Sequence, residues 1–287
     1  MRNKIYVKIW GGLGDILLAT PIFKEFRRQF PGVKIISLCR NKRDLQILKG
    51  NPHIDTLRIL NFYYRRLYRY LELFRFITVR RYDYSVLKPS FCYKKKASDI
   101  IAEMVGIELS DNNIQVYFTR EEELKAKNTL SAFKIPVIIN ITSATSVNKM
   151  WPVKKWSELV SEMPEYTFIQ LGSPYEEKVE GAIDLRGKTD IRESMALIKY
   201  AAGFAGVESF LGHATNAFNK PGVVLFGPTS IAVWGHDNNI NLSKHLPCSN
   251  CIDWVGEMKC PYGGPCMQLI TVQQVKEAIH QQLLHHI

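Results

Sequence analysis

Three glycines and an acid stand between an apolar strand and a helix near the start of the chain. They are Gly11, Gly12, Gly14 and Asp15, in "KIYVKIWGGLGDILLATPIF". A glycine-rich turn at that place lets backbone come close to a ligand, most often a phosphate at the helix N-terminus. An acid in the same turn would repel a phosphate, so the pattern asks for another explanation. The dinucleotide fingerprint is only half met. Gly12 and Gly14 fit its first two glycines, Leu17 replaces the third, and the second strand ends at Cys39-Arg40 with no ribose-binding acid. The Walker A pattern is absent. On these residues alone Asp15 reads most simply as a helix cap, held by free N–H groups and the macrodipole.

Two further groups of residues carry chemistry. The segment from Asn61 to Tyr82 interleaves Arg65, Arg66, Arg69, Arg75, Arg80 and Arg81 with Tyr63, Tyr64, Tyr68, Tyr70 and Phe74, and Lys94, Lys95 and Lys96 follow it. That mixture suits phosphorylated sugars or a membrane surface. It equally suits an amphipathic helix with aromatics packed inward and arginines in water. Near the C-terminus Cys248, Cys251, Cys260 and Cys266 have the spacing C-x2-C-x8-C-x5-C. Four thiolates suit a structural zinc or iron; free buried thiols, or a disulfide formed after purification, fit the spacing as well.

The elements that must position these residues alternate. Strand-like "IYVKI", a helix from Asp15 to Phe30 closed by Pro31-Gly32, strand "VKIISLC", a short helix, a turn at Asn51-Pro52 and a third strand form one series. A second series begins with "PVIINIT" and runs through "YTFIQLGS" and "GVVLFGPT" to a last helix capped by Thr271. Such alternation predicts parallel sheets covered by helices on both faces, in two Rossmann-like halves divided between residues 120 and 136. The length of 287 residues and a 46% hydrophobic content allow two cores. No run reaches the roughly 18 apolar residues of a membrane helix, and Lys4 and Lys8 interrupt any leader-like stretch, so the expected location is the cytosol. A net charge of +11 calls for an anionic partner. No nucleic-acid-binding module is recognisable, so nucleic acid is not the expected one.

The whole set of motifs resembles the bacterial heptosyltransferases, glycosyltransferase family 9. The resemblance rests on "GGLGD" with Thr20-Pro21 and Phe30-Pro31, "NPHID", "KMWP" (Lys149, Trp151, Pro152), "LGSPYEE" (Gly172, Glu176), and "GVESFLGHATNAFNKPGVVLFGPT". It covers nearly the whole chain, in the family's order. One departure stands out: Glu208 and Phe210 occupy places where the family loop has Asp and Gly.

The resemblance implies a GT-B fold, two Rossmann-like domains facing across a cleft. Residues 1–125 would bind the acceptor and residues 126–270 the nucleotide sugar, with residues 271–287 forming a helix that crosses back to the first domain. It implies an inverting transfer of a sugar, heptose in the best-known members, from a nucleotide sugar such as ADP-heptose. The acceptor would be a lipopolysaccharide core or another anionic glycan, with peripheral contact at the inner membrane. A protein acceptor, and a non-catalytic nucleotide- or nucleic-acid-binding role, are the alternatives. Asp15 would be the catalytic base, with Gly12 and Gly14 shaping its turn. Lys149 would balance the leaving diphosphate, assisted by Thr145, Ser209, Gly212 and His213; Glu176 would bind the ribose, and Glu208 would stand at the donor. The sequence has no Asp-x-Asp motif, so no cofactor is expected to be required for the reaction, and any metal at the cysteines would be structural.

Overall fold

The computed structural model describes residues 4–73, 79–83, 86–87, 92–252 and 260–284. Phe74 and Arg75, and the stretch 253–259 inside the cysteine cluster, lie outside the described residues. The chain forms two compact units, residues 1–87 with 95–117 and residues 88–94 with 118–287.

The first unit is built on a four-stranded parallel sheet, ordered β3-β2-β1-β4, from β1 (Lys4–Trp10), β2 (Lys34–Cys39), β3 (Thr56–Ile59) and β4 (Val79–Asp83). The predicted helix from Asp15 to Phe30 is two helices, α1 (Leu13–Leu18) and α2 (Thr20–Gln29). Pro21 is the cause. It has no N–H to donate to Leu17 O, and the Thr20 hydroxyl takes that carbonyl instead, at 2.7 Å. Both helices still bury one apolar face, with Leu17, Ile22, Phe23 and Phe26 inaccessible to solvent. Helices α3 (Lys42–Leu48), α4 (Phe62–Leu73) and α5 (Ala97–Met104) complete the unit.

The aromatic–basic segment divides between α4 and β4. Tyr68 is buried edge-on against Tyr6, ring centroids 5.5 Å apart, and Tyr64 packs on the same cluster. Tyr63 and Tyr70 stay exposed with Arg65, Arg66 and Arg69. Arg80 donates to Val105 O at 3.2 Å, and Arg81 pairs with Glu72. Those two arginines are therefore engaged within the first unit.

The second unit has a six-stranded parallel sheet, ordered β10-β9-β8-β5-β6-β7. Its strands are β5 (Pro136–Asn140), β6 (Thr167–Gln170), β7 (Ile183–Asp184), β8 (Gly203–Val207), β9 (Gly222–Leu225) and β10 (Asn239–Leu242). Around it lie α6 (Arg120–Leu130), α7 (Val153–Ser161), α8 (Ile191–Tyr200), α9 (Phe210–Asn216), α10 (Ile231–Trp234), α11 (Pro265–Gln268) and α12 (Val272–Leu283). The sequence puts the domain boundary at residue 125, but α6 is part of the second unit. Glu122 takes two hydrogen bonds from the buried Arg192 of α8, and Lys199 of α8 reaches Glu123.

Helix α12 starts with the expected cap: Thr271 Oγ1 accepts from Gln274 N at 3.2 Å, and Gln274 Oε1 accepts from Thr271 N. Its apolar stripe, Val275, Ala278, Ile279 and Leu283, belongs to the second unit's core. It packs there on α7, β9 and β10. Among the described residues, no helix is long and apolar enough to cross a membrane.

Candidate functional site

In an open parallel sheet, ligands bind beyond the carboxyl ends of the strands, where the strand order reverses. Each unit has one such point. In the first, the chain runs from β1 out to β3 and returns on the other side of β1 as β4, so the switch lies between β1 and β4. In the second it lies between β5 and β8. The residues singled out in the sequence fall at these two places.

At the first switch point, Gly12 is the N-cap of α1 and Asp15 its third residue. Asp15 Oδ2 accepts from Gly12 N at 2.6 Å, so the carboxylate does cap the helix. Its other oxygen accepts from the hydroxyl of Tyr82 on β4 at 2.9 Å, a bond that spans the switch point. Tyr82 is inaccessible to solvent and Asp15 is half-buried. Gly11 explains part of the glycine pattern. A Cβ there would lie 2.4 Å from Asp15 Oδ2, so only glycine lets the carboxylate fold back over the turn. Gly14 is the second residue of the helix. Nothing in the sequence pointed to Tyr82, because the arginines around it obscure the strand.

At the second switch point Lys149 ends a short 3-10 turn (Val147–Lys149) in the connection after β5. It is buried, and its ammonium lies 2.5 Å from Glu208 Oε2. Glu208, also buried, follows β8 directly; its Oε1 lies 3.5 Å from His213 Nε2. Burial pushes the Glu208 carboxyl up, but the Lys149 charge and the contact with His213 outweigh it and hold it well below the ordinary carboxylate range. His213, on α9, has its Nδ1 2.9 Å from His236 Nε2. Trp234, His236, Asn239 and Asn241 line the same pocket as Glu208, Ser209, Gly212 and His213. His236 lies beyond α10 in a stretch with no motif, and sequence reasoning missed it.

The other expected donor residues gather on the same edge. Ser209 is the N-cap of α9, but its hydroxyl donates to Asn140 Oδ1 at 2.7 Å rather than to the helix. The Asn140–Ser209 bond joins the ends of β5 and β8 across the switch. Thr145 is exposed, its hydroxyl 3.0 Å from that of Ser143. Gly212 is buried inside α9. Glu176 Oε1 accepts from Ser173 N at 2.8 Å, while its Oε2 is buried without a hydrogen-bond partner among the described residues. A buried, unsatisfied carboxylate oxygen is costly unless a ligand hydroxyl completes it. Gly172, at φ +152°, makes the space: a Cβ there would lie 2.2 Å from that oxygen. A wider depression of about 800 Å³ along α6 contains none of these residues.

The cysteines share one neighbourhood. Burial raises the Cys266 thiol above its ordinary value, and Cys251, Cys260 and Cys248 nearby add to the shift. Cys260 Sγ accepts from Gly264 N at 3.2 Å. None of the six cysteines is in a disulfide. Among the described residues no group of three or more His, Cys, Asp or Glu side chains is arranged to hold a metal ion. As they stand, the thiols are close but do not form the tetrahedral ligand group expected from their spacing.

Two parallel-sheet α/β units in series are the architecture of the GT-B fold. The model of glycosyltransferase family 9 (heptosyltransferase) matches residues 95–261, more than half of the chain, and the protein belongs to that family. Lipopolysaccharide heptosyltransferase 3 of Escherichia coli K12 is 23% identical over 282 residues, covering 77% of this chain and 81% of the relative. Among solved structures, E. coli ADP-heptose lps heptosyltransferase II superposes with a TM-score of 0.73 at 16% identity, over 98% of this chain and 99% of that one. The iron-containing dodecameric glycosyltransferase TibC of enterotoxigenic E. coli gives 0.72 at 17% identity, over 98% of this chain and 76% of its own.

Proposed function

We propose that the protein transfers heptose from ADP-heptose, with inversion, to a hydroxyl of a lipopolysaccharide core or a related anionic glycan. The observation that carries this reading is the pairing of roles at the two switch points: a positioned carboxylate in one unit and a buried ammonium in the other. Glycosyl transfer needs a base for the acceptor hydroxyl, a path through an oxocarbenium-like state, and compensation of the departing diphosphate.

Asp15 takes the proton from the acceptor hydroxyl. The bonds from Gly12 N and the Tyr82 hydroxyl orient that carboxylate. Lys149 neutralises charge on the leaving diphosphate, with Thr145 and the first N–H groups of α9, around Ser209 and Gly212, binding phosphate oxygens. Glu176 Oε2 accepts from a ribose hydroxyl. The first unit, residues 1–87 with 95–117, binds the acceptor, and the second, residues 88–94 with 118–287, binds the donor. The exposed face of α4, with Tyr63, Tyr70 and Arg69, supports contact with an anionic acceptor or the cytoplasmic face of the inner membrane.

The test is a panel of nucleotide sugars scored by thermal shift and then by product formation. Bound donor raises stability by RT ln(1 + [L]/Kd), about 2.7 kcal/mol at 100 times Kd. ADP-heptose should shift the melting and yield heptosylated core oligosaccharide. A shift only with other nucleotide sugars would refute the donor; transfer only to a polypeptide would refute the acceptor. A structural zinc or iron requires Cys248, Cys251, Cys260 and Cys266 to close around it. Metal analysis of protein purified without chelator decides that point separately from the reaction.

A further inference from the structure

On one face of β1 the residues Tyr6, Lys8 and Trp10 follow one another at the strand repeat. Their in-register partners on β4 are Val79, Arg81 and Asp83. The first pair, Tyr6 and Val79, belongs to the apolar cluster that Tyr68 of α4 completes. The second pair sets two cations directly across from one another, Lys8 and Arg81, which is unfavourable unless an anion sits between them. The third pair reaches the carboxyl edge of the sheet. Trp10 is 39% exposed there, and the turn that follows it leads to Asp15.

Lys8 is half-buried, and among the described residues no carboxylate lies within ion-pair distance of its ammonium, which sits instead 4.0 Å over the centre of the Trp10 ring. A lysine withdrawn from water normally has a carboxylate partner. Burial above all, then Arg81 and Arg65, push the Lys8 ammonium below its ordinary value, against Asp83 and Glu72. Arg65, on α4, spends its Nε on Leu60 O at 3.1 Å and pairs with no carboxylate among the described residues. Glu72 is taken by Arg81. Asp83 stands across from Trp10, one step beyond Lys8 on the same face. Three cations thus gather at this edge with one ion pair among them.

We propose that Lys8, Arg65 and Arg81 form a subsite for an anionic sugar of the acceptor, whose phosphate or carboxylate lies among the three cations while the ring that bears it rests against Trp10. The inference rests on the assignment of the acceptor to the first unit. The anion supplies the counter-charge that Lys8 lacks and relieves its repulsion with Arg81. Arg65 offers a planar pair of donors to two oxygens of the group, and Lys8 a point charge. The exposed indole gives the sugar ring an apolar surface. Lys8 and Trp10 stand on the strand that feeds the Asp15 turn. An acceptor held there by its charge therefore has its hydroxyls at the same edge of the sheet as the proposed base, and a neutral glycan lacks that anchor.

The experiment is a titration of the full chain with glucose 6-phosphate, glucuronate and glucose, followed by tryptophan emission with ADP present to occupy the phosphate site of the second unit. The part of the change that disappears in Trp10→Phe reports the first unit, because the Lys8 ammonium lies over that ring. At least one of the two anions should give a saturable change of this kind, and glucose none. A response to glucose 6-phosphate alone assigns the site to a phosphorylated sugar, and a response to glucuronate alone to a sugar acid. Lys8→Gln should weaken the binding about tenfold, the loss of one charge-assisted contact. Arg65→Gln alters an exposed side chain of α4 and should weaken it likewise, so the test survives if Lys8→Gln fails to fold. Lys154→Gln, the same change of charge on α7 of the second unit, should leave it unchanged. The proposal is overturned if neither anion gives a change that depends on Trp10, or if affinity is equal in the wild type, Lys8→Gln and Arg65→Gln. The titration needs no sugar transfer. A protein that binds the anion but glycosylates no glycan keeps this site and loses the acceptor reading, whereas equal transfer to a charged glycan and its neutral form removes this site alone.

Discussion

Asp15 is the proposed base, and its two carboxylate oxygens are engaged by different groups. Oδ2 closes the helix start, while Oδ1 is oriented by Tyr82. Asp15→Asn keeps the shape and a weaker acceptor but loses the base. Turnover should drop roughly 10²–10⁴-fold with the fold and ADP binding retained; activity within a few-fold of wild type would leave Asp15 only a cap. Tyr82→Phe removes a donor that favours the ionised carboxylate. The acid limb of the pH–rate profile should move to higher pH, with kcat affected and ADP affinity unchanged. An unmoved limb would show that the tyrosine merely fills space. The sequence exposed Asp15, because glycines next to an acid are conspicuous, but hid Tyr82, because its partner is 67 residues away. Lys149, Glu208 and His213 were legible as separate motif residues. Their joining into one buried chain was not, since it depends on β5 and β8 lying side by side.

At the scale of elements, legibility followed hydrophobic pattern. Buried parallel strands read as apolar runs, and β1, β2, β5, β6 and β9 were found that way. β4 was missed because "VRRYD" places two arginines on a strand, one engaged with Val105 O and the other with Glu72. The break between α1 and α2 was written in Thr20-Pro21, a pair read as a family motif when its first effect is backbone chemistry. The Trp of "KMWP" is similar. Trp151 is fully buried, stacks edge-on with Trp156, and donates its indole N–H to Ile270 O at 3.0 Å. Lys155 reaches the same carbonyl at 2.8 Å. These bonds tie the link between α11 and α12 to the start of α7. Trp151→Ala should cost about 3–5 kcal/mol in denaturant unfolding. Trp151→Phe, which keeps most of the apolar contact, should cost clearly less; equal losses would mean that the hydrogen bond, and not the packing, carries the link.

For the molecule as a whole, acid is the condition that tests both units at once. The first contains Glu25, buried, with its carboxyl lowered to about 2 mainly by hydrogen bonds from Arg28, against the opposing effect of burial, and further by Gln29 and Ser110. The second contains Glu122, also lowered to about 2, chiefly by Arg192, with burial again opposing and the Thr119 N–H assisting. Both have an ordinary value of 4.5. A carboxyl lowered on folding stabilises fully above its unfolded value, and that stability is lost as pH falls towards the folded one. Each unit should therefore lose stability between about pH 4.5 and 2. The chain is already at +11 near neutrality, so protonating its acids adds self-repulsion in the same window. Trp10 is the sole tryptophan in the first unit's sequence, whereas Trp151, Trp156, Trp234 and Trp254 are in the second unit's sequence. Tryptophan fluorescence thus follows mainly the second unit, and far-ultraviolet circular dichroism follows both. Glu122→Gln should make the protein less stable at pH 7 and flatten the fluorescence-detected loss of stability below pH 4.5. Glu25→Gln should leave that signal's acid slope in place and change the dichroism instead. If Glu122→Gln retains the full acid slope in fluorescence, the α6–α8 ion pair is not what ties the second unit's stability to pH.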